Sequence, residues 1–524
     1  MEIIFCLISV LVCSIIFATV GSTVLSFISY NKNKQIAFNF YIGQIVCIVL
    51  FSLLALYITT ITITTFLILI IGLLCGIYTI YNKNFSIVPT KKEILLCTIS
   101  LIAIAIVVFT YYNIPTVHNI DKWAFNGSIH TGRSENIITY FTTQNKLSPV
   151  GQNFGQVCLL LFSQSIYKCN LPIAISIWLI VNGCFFVLLI FNFLKKYIAL
   201  NSIVYKSILL IMLGATNIGL VLSNIIDIGS PFILSGYTDN YQSLSTLLLM
   251  FYLLYSKHIV THKFNTIGYY LLITTLLVAN HIFGIQNFVA LLSISGIGVI
   301  YLFFYKKKKL LLSIVPTIIL LIIVVGIGRW YSGMLVQQKY INQTIPDTIS
   351  VYDTKHTGIT ILPAISHKYY VNKEYEFNQV QVIPKADSVL AASNTPNKLR
   401  VYATILEANL WDALRLLFYP IMVTIIGVWY CSTYKADALL LLVTLCSIAF
   451  FCSSFILAFC FKFNDYKLEL NRFFYPFILF AFINWGLLYQ YSHHTKVKLL
   501  LHILMYAALV PLCVDLVLRW LNAN

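Results

Sequence analysis

Charge is what this sequence has least of. Asp, Glu, Lys and Arg make up 10% of its 524 residues, against about 25% in an ordinary soluble domain. With 59% hydrophobic residues beside that shortage, a soluble globular enzyme, a disordered tail and a fibrous protein are all excluded. Alternation is missing too. The apolar runs are continuous, whereas a transmembrane β-barrel needs segments of about ten residues with every second one apolar. The 13 cysteines include no C-x-x-C, so thioredoxin-like and zinc-ribbon readings fail. Most fall inside apolar runs, where Cys acts as a small hydrophobe. Cys158 and Cys169 lie in a loop and are close enough in sequence to pair. Residues 1–20 have no basic n-region, so the first apolar run is expected to be a span and not a cleaved signal. No internal repeat is visible, so the repeats of many transporters are not expected.

What is present is length of apolar run. A span needs roughly 20 apolar residues. Such stretches occur at about 3–29, 39–59, 62–81, 94–112, 172–194, 207–224, 243–256, 264–280, 285–304, 310–328, 413–430, 438–461, 473–490 and 499–519. The expected fold class is therefore an all-α polytopic membrane protein of about 14 transmembrane helices with two large external loops. The 243–256 run is short and has to borrow from its flanks.

Net charge is +17, and its distribution fixes an orientation. Alternate short connections carry Lys32 and Lys34; Lys83, Lys91 and Lys92; Lys195, Lys196 and Lys206; Lys257 and Lys263; Lys306 to Lys309; Lys435; Lys496 and Lys498. Their only acids are Glu93 and Asp437. Positive loops stay in the cytoplasm. The N-terminus and the long loops 113–171 and 329–412 are then external.

Four pieces follow: three spans in 1–92, seven spans in 93–328 with the loop 113–171, an external cap in 329–412, and four spans in 413–524. In the first loop, Ile137, Ile138 and Phe141 sit at helical spacing and suit a helix lying in the interface. The apolar stretch 155–167 is too short to cross, so an interfacial or re-entrant helix is expected. In the second loop, Tyr375, Phe377, Val380 and Val382 suggest a short strand. Thr395–Pro396 suits the start of a helix running toward Trp411.

No Asp, Glu, Lys or Arg falls near the middle of any of these runs. Proton-coupled carriers and ion pumps accept the cost of a few kcal/mol that such a residue carries. Its absence argues against them and puts the chemistry at the external boundary. Asp121, Asp227 and Asp239 stand there. A carboxylate beside lipid and aromatic groups has its charged form disfavoured, which suits a general base. The bland alternative is a turn or helix cap. His281 ends an external helix, and His130 lies with Arg133 and Glu135 in the first loop; a lone His there is more often a satisfied boundary residue. Arg472 starts a span on the external side, where it can pair with a phosphate or merely anchor to headgroups.

These residues carry a resemblance. Asp121 in the first large loop, the Tyr237-Thr238-Asp239 turn before a helix, His281 at a helix end, and Asn471-Arg472-Phe473-Phe474-Tyr475-Pro476 resemble the GT-C superfamily of polytopic membrane glycosyltransferases. In that family a seven-span module has a large first external loop with helices on the membrane, and another external loop after the seventh span. The family often has two neighbouring acids in the first loop. Here Asp121 is followed by Lys122, and three spans precede the module.

The resemblance implies a sugar moved from a polyprenyl-phosphate carrier to a glycan or lipid acceptor on the external face, in cell-envelope glycan assembly. It implies Asp121 as base, with Asp239 and Glu135 in the catalytic set, and Asp227, Tyr237, His130, His281 and Arg472 on the substrate side. It implies no metal requirement. No ligand cluster demands a metal, and a divalent cation stays open. The expected location is a bacterial inner membrane, with no nucleic-acid partner. Two rivals stand beside this reading. An O-antigen polymerase or ligase would explain Arg400-Val401-Tyr402 to Trp411, but no Gly occurs between Gly358 and Gly427. A non-enzymatic lipid or oligosaccharide flippase would need a polar path, for which the spans offer few polar residues.

Overall fold

The computed structural model describes residues 2–28, 36–82, 94–102, 138–139, 141–147, 154–168, 171–195, 238–259, 266–283, 296–297, 319, 323, 417–434, 437–460 and 466–507. For 238–240, 256–259, 280–283, 454–460 and 466–473 it describes the backbone alone. The described residues are almost all helical and contain no strand. The long helices are α1 (Glu2–Ile28), α2 (Ile36–Tyr57), α3 (Ile61–Tyr81), α4 (Phe154–Ile166), α5 (Leu171–Lys195), α6 (Thr238–Ile259), α7 (Thr266–Phe283), α8 (Phe418–Thr433), α9 (Ala438–Cys460) and α10 (Tyr466–Tyr491). Residues 94–102 and 495–507 are helical as well. Among the described residues, four helices are long and apolar enough to cross a membrane: Ile3–Ile28, Ile36–Tyr57, Ile61–Tyr81 and Ile173–Lys195. This is a helical membrane protein. The strand expected at 375–382 and the helix expected from Thr395 lie outside the described residues.

The chain divides into two compact units, one holding α1 to α7 and the other α8 to α10 with 495–507. In the first, α1 and α2 cross at bare backbone. A Cβ on Gly21 would overlap the Asn39 carbonyl, and one on Gly43 would overlap the Phe17 carbonyl. In a bilayer, close backbone approach at small residues replaces the hydrophobic drive that water supplies elsewhere. On the other side of α1, Thr19 Oγ1 donates to Gly72 O of α3 at 3.4 Å, and a Cβ on Gly72 would press on Ile16. The start of α3 is capped by Thr60, whose hydroxyl accepts from Ile63 N. It is also held by Asn145, whose Oδ1 accepts from Thr62 N at 3.0 Å and from Thr62 Oγ1 at 2.9 Å. Asn145 has φ 50°, a left-handed backbone that Asn tolerates. Residues 138–139 and 141–144 are helical, with Ile138 and Phe141 buried.

α4 sits inside this unit. Its 13 residues are too few to cross a bilayer, yet Val157 through Phe162 are buried. It touches α1, α2, α3, α6 and α7. Ser9 Oγ of α1 donates to Ser163 O at 2.8 Å, and Trp178 Nε1 of α5 donates to Ser163 Oγ at 3.3 Å. Cys158 is a free, buried thiol. The pairing with Cys169 that sequence proximity suggested is therefore corrected: Cys158 faces the packed interior, not a loop.

In the second unit α8, α9 and α10 meet at Gly427. A Cβ there would lie 2.5 Å from Asn484 Nδ2 and 3.1 Å from Thr444 Oγ1. Thr444 Oγ1 contacts Asn484 Oδ1 at 3.0 Å and donates to Leu440 O at 2.8 Å. α10 tolerates Pro476 in its interior, where neighbouring helices can compensate for the lost backbone bond.

Candidate functional site

One set of buried polar side chains in the first unit lies on α2, α5 and α6, which pack on one another. Tyr41 OH donates to Asn182 O at 2.6 Å, and Gln44 Nε2 donates to Asn182 Oδ1 at 3.0 Å. Asn182 Nδ2 donates back to Trp178 O at 3.0 Å, within α5. All four residues are fully buried. Such amides are costly in a low-dielectric core unless paired, and each pairing here joins two helices or two turns. The ring of Phe186, one turn further along α5, lies between Tyr41 at 6.3 Å and Tyr241 of α6 at 5.6 Å.

Those ring contacts set the height at which α6 begins. A second pair, Phe193 with Phe251 at 5.9 Å, shows that α5 and α6 run in the same direction. Phe186 lies fifteen residues into α5 and Tyr241 three into α6. At 1.5 Å per residue, the first turn of α6 sits roughly 18 Å along α5, close to the level of Asn182. The outer turns of α6 are Thr238, Asp239, Asn240, Tyr241, Gln242, Ser243, Leu244, Ser245 and Thr246. Of these, Tyr241 to Thr246 are buried. Ser245 Oγ and Thr246 Oγ1 turn back to donate to Gln242 O, at 2.9 and 2.6 Å. The Gln242 side-chain amide has neither its Nε2 nor its Oε1 partnered, and both amide atoms of Asn192 and Oε1 of Gln44 are likewise unpartnered.

The short run at 243–256 does borrow from its flank: α6 begins at Thr238. Asp239, read as a loop residue or a cap of that helix, lies in its first turn, and the helix starts level with the middle of α5. The physical reason is that hydropathy counts what faces lipid. Polar residues from Tyr241 to Thr246 are buried inside the protein, and an apolar window passes over them. Asp239 thus lies in the first turn of α6, about level with Asn182 along α5.

α7 follows α6 after a short connection and packs against it. Tyr269 OH donates to Leu253 O at 3.5 Å. Counting along the two helices from that contact, the last turn of α7, with His281, returns roughly to the level at which α6 begins. The backbone therefore brings Asp239 and His281 to about one height on neighbouring helices. Arg472 lies in the second turn of α10, in the other unit. Asp121, His130, Glu135, Asp227 and Tyr237 lie outside the described residues.

No family model matches this chain, and no curated protein or solved structure matches it either. The site rests on its own geometry. Gln44, Asn182, Asn192 and Gln242 were not singled out in the sequence. Gln44, Asn182 and Asn192 stand inside apolar runs and Gln242 just before one, a signal that does not by itself separate a helix-contact amide from a functional one. Among the described residues no group of three His, Cys, Asp or Glu is placed to hold a metal ion.

Proposed function

We propose that this protein is an integral membrane glycosyltransferase of the GT-C kind. It would cross a bacterial inner membrane about 14 times and move a sugar from a polyprenyl-phosphate carrier to an acceptor on the external face. The observation that supports the reading most is where α6 starts along α5. Asp239 lies in its first turn, level with the paired amides Gln44 and Asn182, and the helix N-terminus supplies backbone N–H groups that favour an anionic group nearby. In the proposed reaction the acceptor hydroxyl oxygen attacks the anomeric carbon. The bond from that carbon to the carrier phosphate oxygen breaks, polyprenyl phosphate leaves with the electron pair, and a carboxylate takes the hydroxyl proton. Asp121 is the proposed base, with Asp239 and Glu135 beside it. Asp227, Tyr237, His130 and His281 are proposed to hold sugar or acceptor, and Arg472 the phosphate.

One observation favours a second reading. The unpartnered amides of Gln242, Asn192 and Gln44 provide buried polar groups inside the first unit, which a flippase for lipid-linked oligosaccharide would need. The test is sugar transfer from labelled polyprenyl-phosphate donors by the wild type, Asp121→Ala and Asp239→Ala in proteoliposomes. The glycosyltransferase reading expects transfer by the wild type and a loss of about a hundredfold or more for the base variant. Transfer that survives Asp121→Ala rejects that residue as base. Carrier flipping with no transfer by the wild type rejects the enzyme and leaves the flippase.

A further inference from the structure

We infer that the end of the second unit formed by 429–434 and 492–498 binds the phosphate of an anionic phospholipid headgroup. Two exposed apolar stripes run toward this end. On α8 they are Ile425, Val428 and Trp429, with Trp429 48% exposed. On the 495–507 helix they are Leu499, Leu500, Ile503 and Tyr506, with Ile503 54% exposed. Both sets recur at three- and four-residue spacing, so each is one face. In a membrane protein such faces meet acyl chains. The two helices run antiparallel and are tied near both ends. Tyr419 OH donates to Ala507 O at 2.8 Å, while at the other end the rings of Tyr430 and His494 lie 6.5 Å apart.

Where the apolar stripes stop, the surface turns basic. His493, His494 and Lys496 are exposed and Lys498 is half-buried. Lys496 continues the stripe of Leu499, Leu500 and Ile503 by one turn, which puts a cation on the lipid-facing side at the height where headgroups begin. The ground beneath is rigid. The His494 ring lies on Tyr434 at 4.1 Å. Tyr430 OH donates to Tyr491 O at 3.0 Å. Tyr489 OH is 3.1 Å from His502 Nε2. Lys498 Nζ sits 5.6 Å over the Tyr489 ring, a cation–π contact that holds it in place. The one acid described at this end, Asp437, is engaged in capping α9, its Oδ1 accepting from Leu439 N at 2.8 Å.

Two lysines and two histidines near Trp429 thus stand against a single committed acid. The complement is an anion carried on an acyl chain. A free phosphate would use the cations but have no use for the apolar stripes that lead to them.

Native mass spectrometry of the full chain in detergent tests this, with phosphatidylglycerol and phosphatidylcholine titrated separately. The wild type should retain phosphatidylglycerol in preference. K496Q/K498Q should weaken that retention about fivefold for each lysine removed, leave phosphatidylcholine unchanged, and keep the wild-type thermal midpoint. Equal retention of the two lipids, unchanged phosphatidylglycerol binding in the variant, or displacement of the lipid by inorganic phosphate would each overturn the proposal. If the double variant loses its fold, K496Q alone decides, since that side chain is exposed: a fivefold loss supports the site, and none overturns it.

Discussion

The second unit buries Asn484 with its Oδ1 against Thr444 and only its Nδ2 unpartnered, directly under Gly427. The first unit buries Gln44, Asn182, Asn192 and Gln242. Asn182 is satisfied, while each of the other three has at least one side-chain atom with no hydrogen-bond partner. The contrast separates two uses of a polar group in an apolar core. At Asn484 the amide works as glue at a three-helix contact, and its neighbours are chosen to be small so that it fits. In the first unit the polar groups exceed what packing needs. Satisfied pairs hold α2 to α5, and Gln242 lies one turn along α6 from Asp239 with no hydrogen-bond partner for its side-chain amide among the described residues. Packing alone would select Leu at such a position, since an unmade buried hydrogen bond costs about 1–3 kcal/mol.

The largest expected effect breaks the first unit outright. Gly43→Leu puts a side chain into the Phe17 carbonyl, and overpacking of this sort costs about 3 kcal/mol or more. Cys13 and Cys47, buried in the first unit, should become reactive to a maleimide while Cys446 of the second stays protected. Simultaneous exposure of all three would erase the distinction between the units. Next comes Gly427→Ala. Its Cβ must displace Asn484 Nδ2, at a cost of about 1–3 kcal/mol, and Cys446 should react ahead of Cys47. Asn182→Leu removes the partner of Gln44 and should lower stability by about 1–2 kcal/mol, seen in the thermal midpoint in detergent. If it has no effect, the α2–α5 pairing is not what joins those helices.

Much of the fold was legible in the sequence because a continuous apolar run has few alternatives in a membrane protein. The runs read at 3–29, 39–59 and 172–194 appear as Glu2–Ile28, Ile36–Tyr57 and Leu171–Lys195. The run at 473–490 appears as Tyr466–Tyr491, two turns longer at its start. What was not legible is polar structure inside protein. α6 begins five residues before its apolar run, and the short helix expected at 155–167, interfacial or re-entrant, is α4, buried from Val157 to Phe162. Both follow from neighbours far along the chain, which hydropathy does not register. Of the candidate site, the acid Asp239 and His281 could be picked out by residue type. Gln44, Asn182 and Gln242 could not be told from ordinary helix-contact amides until α2, α5 and α6 were seen together.

Gln242→Leu is the most direct test of the claim that the outer turns of α6 are built for function and not for packing. Thermal midpoint and sugar transfer should be read on the same preparation. The account predicts a midpoint equal to or above that of the wild type, because an unpartnered buried amide is gone. It predicts a fall in transfer of about tenfold or more, equivalent to roughly 1.4 kcal/mol at the transition state. A lowered midpoint with transfer intact would contradict it, and would make Gln242 one more strut in the bundle.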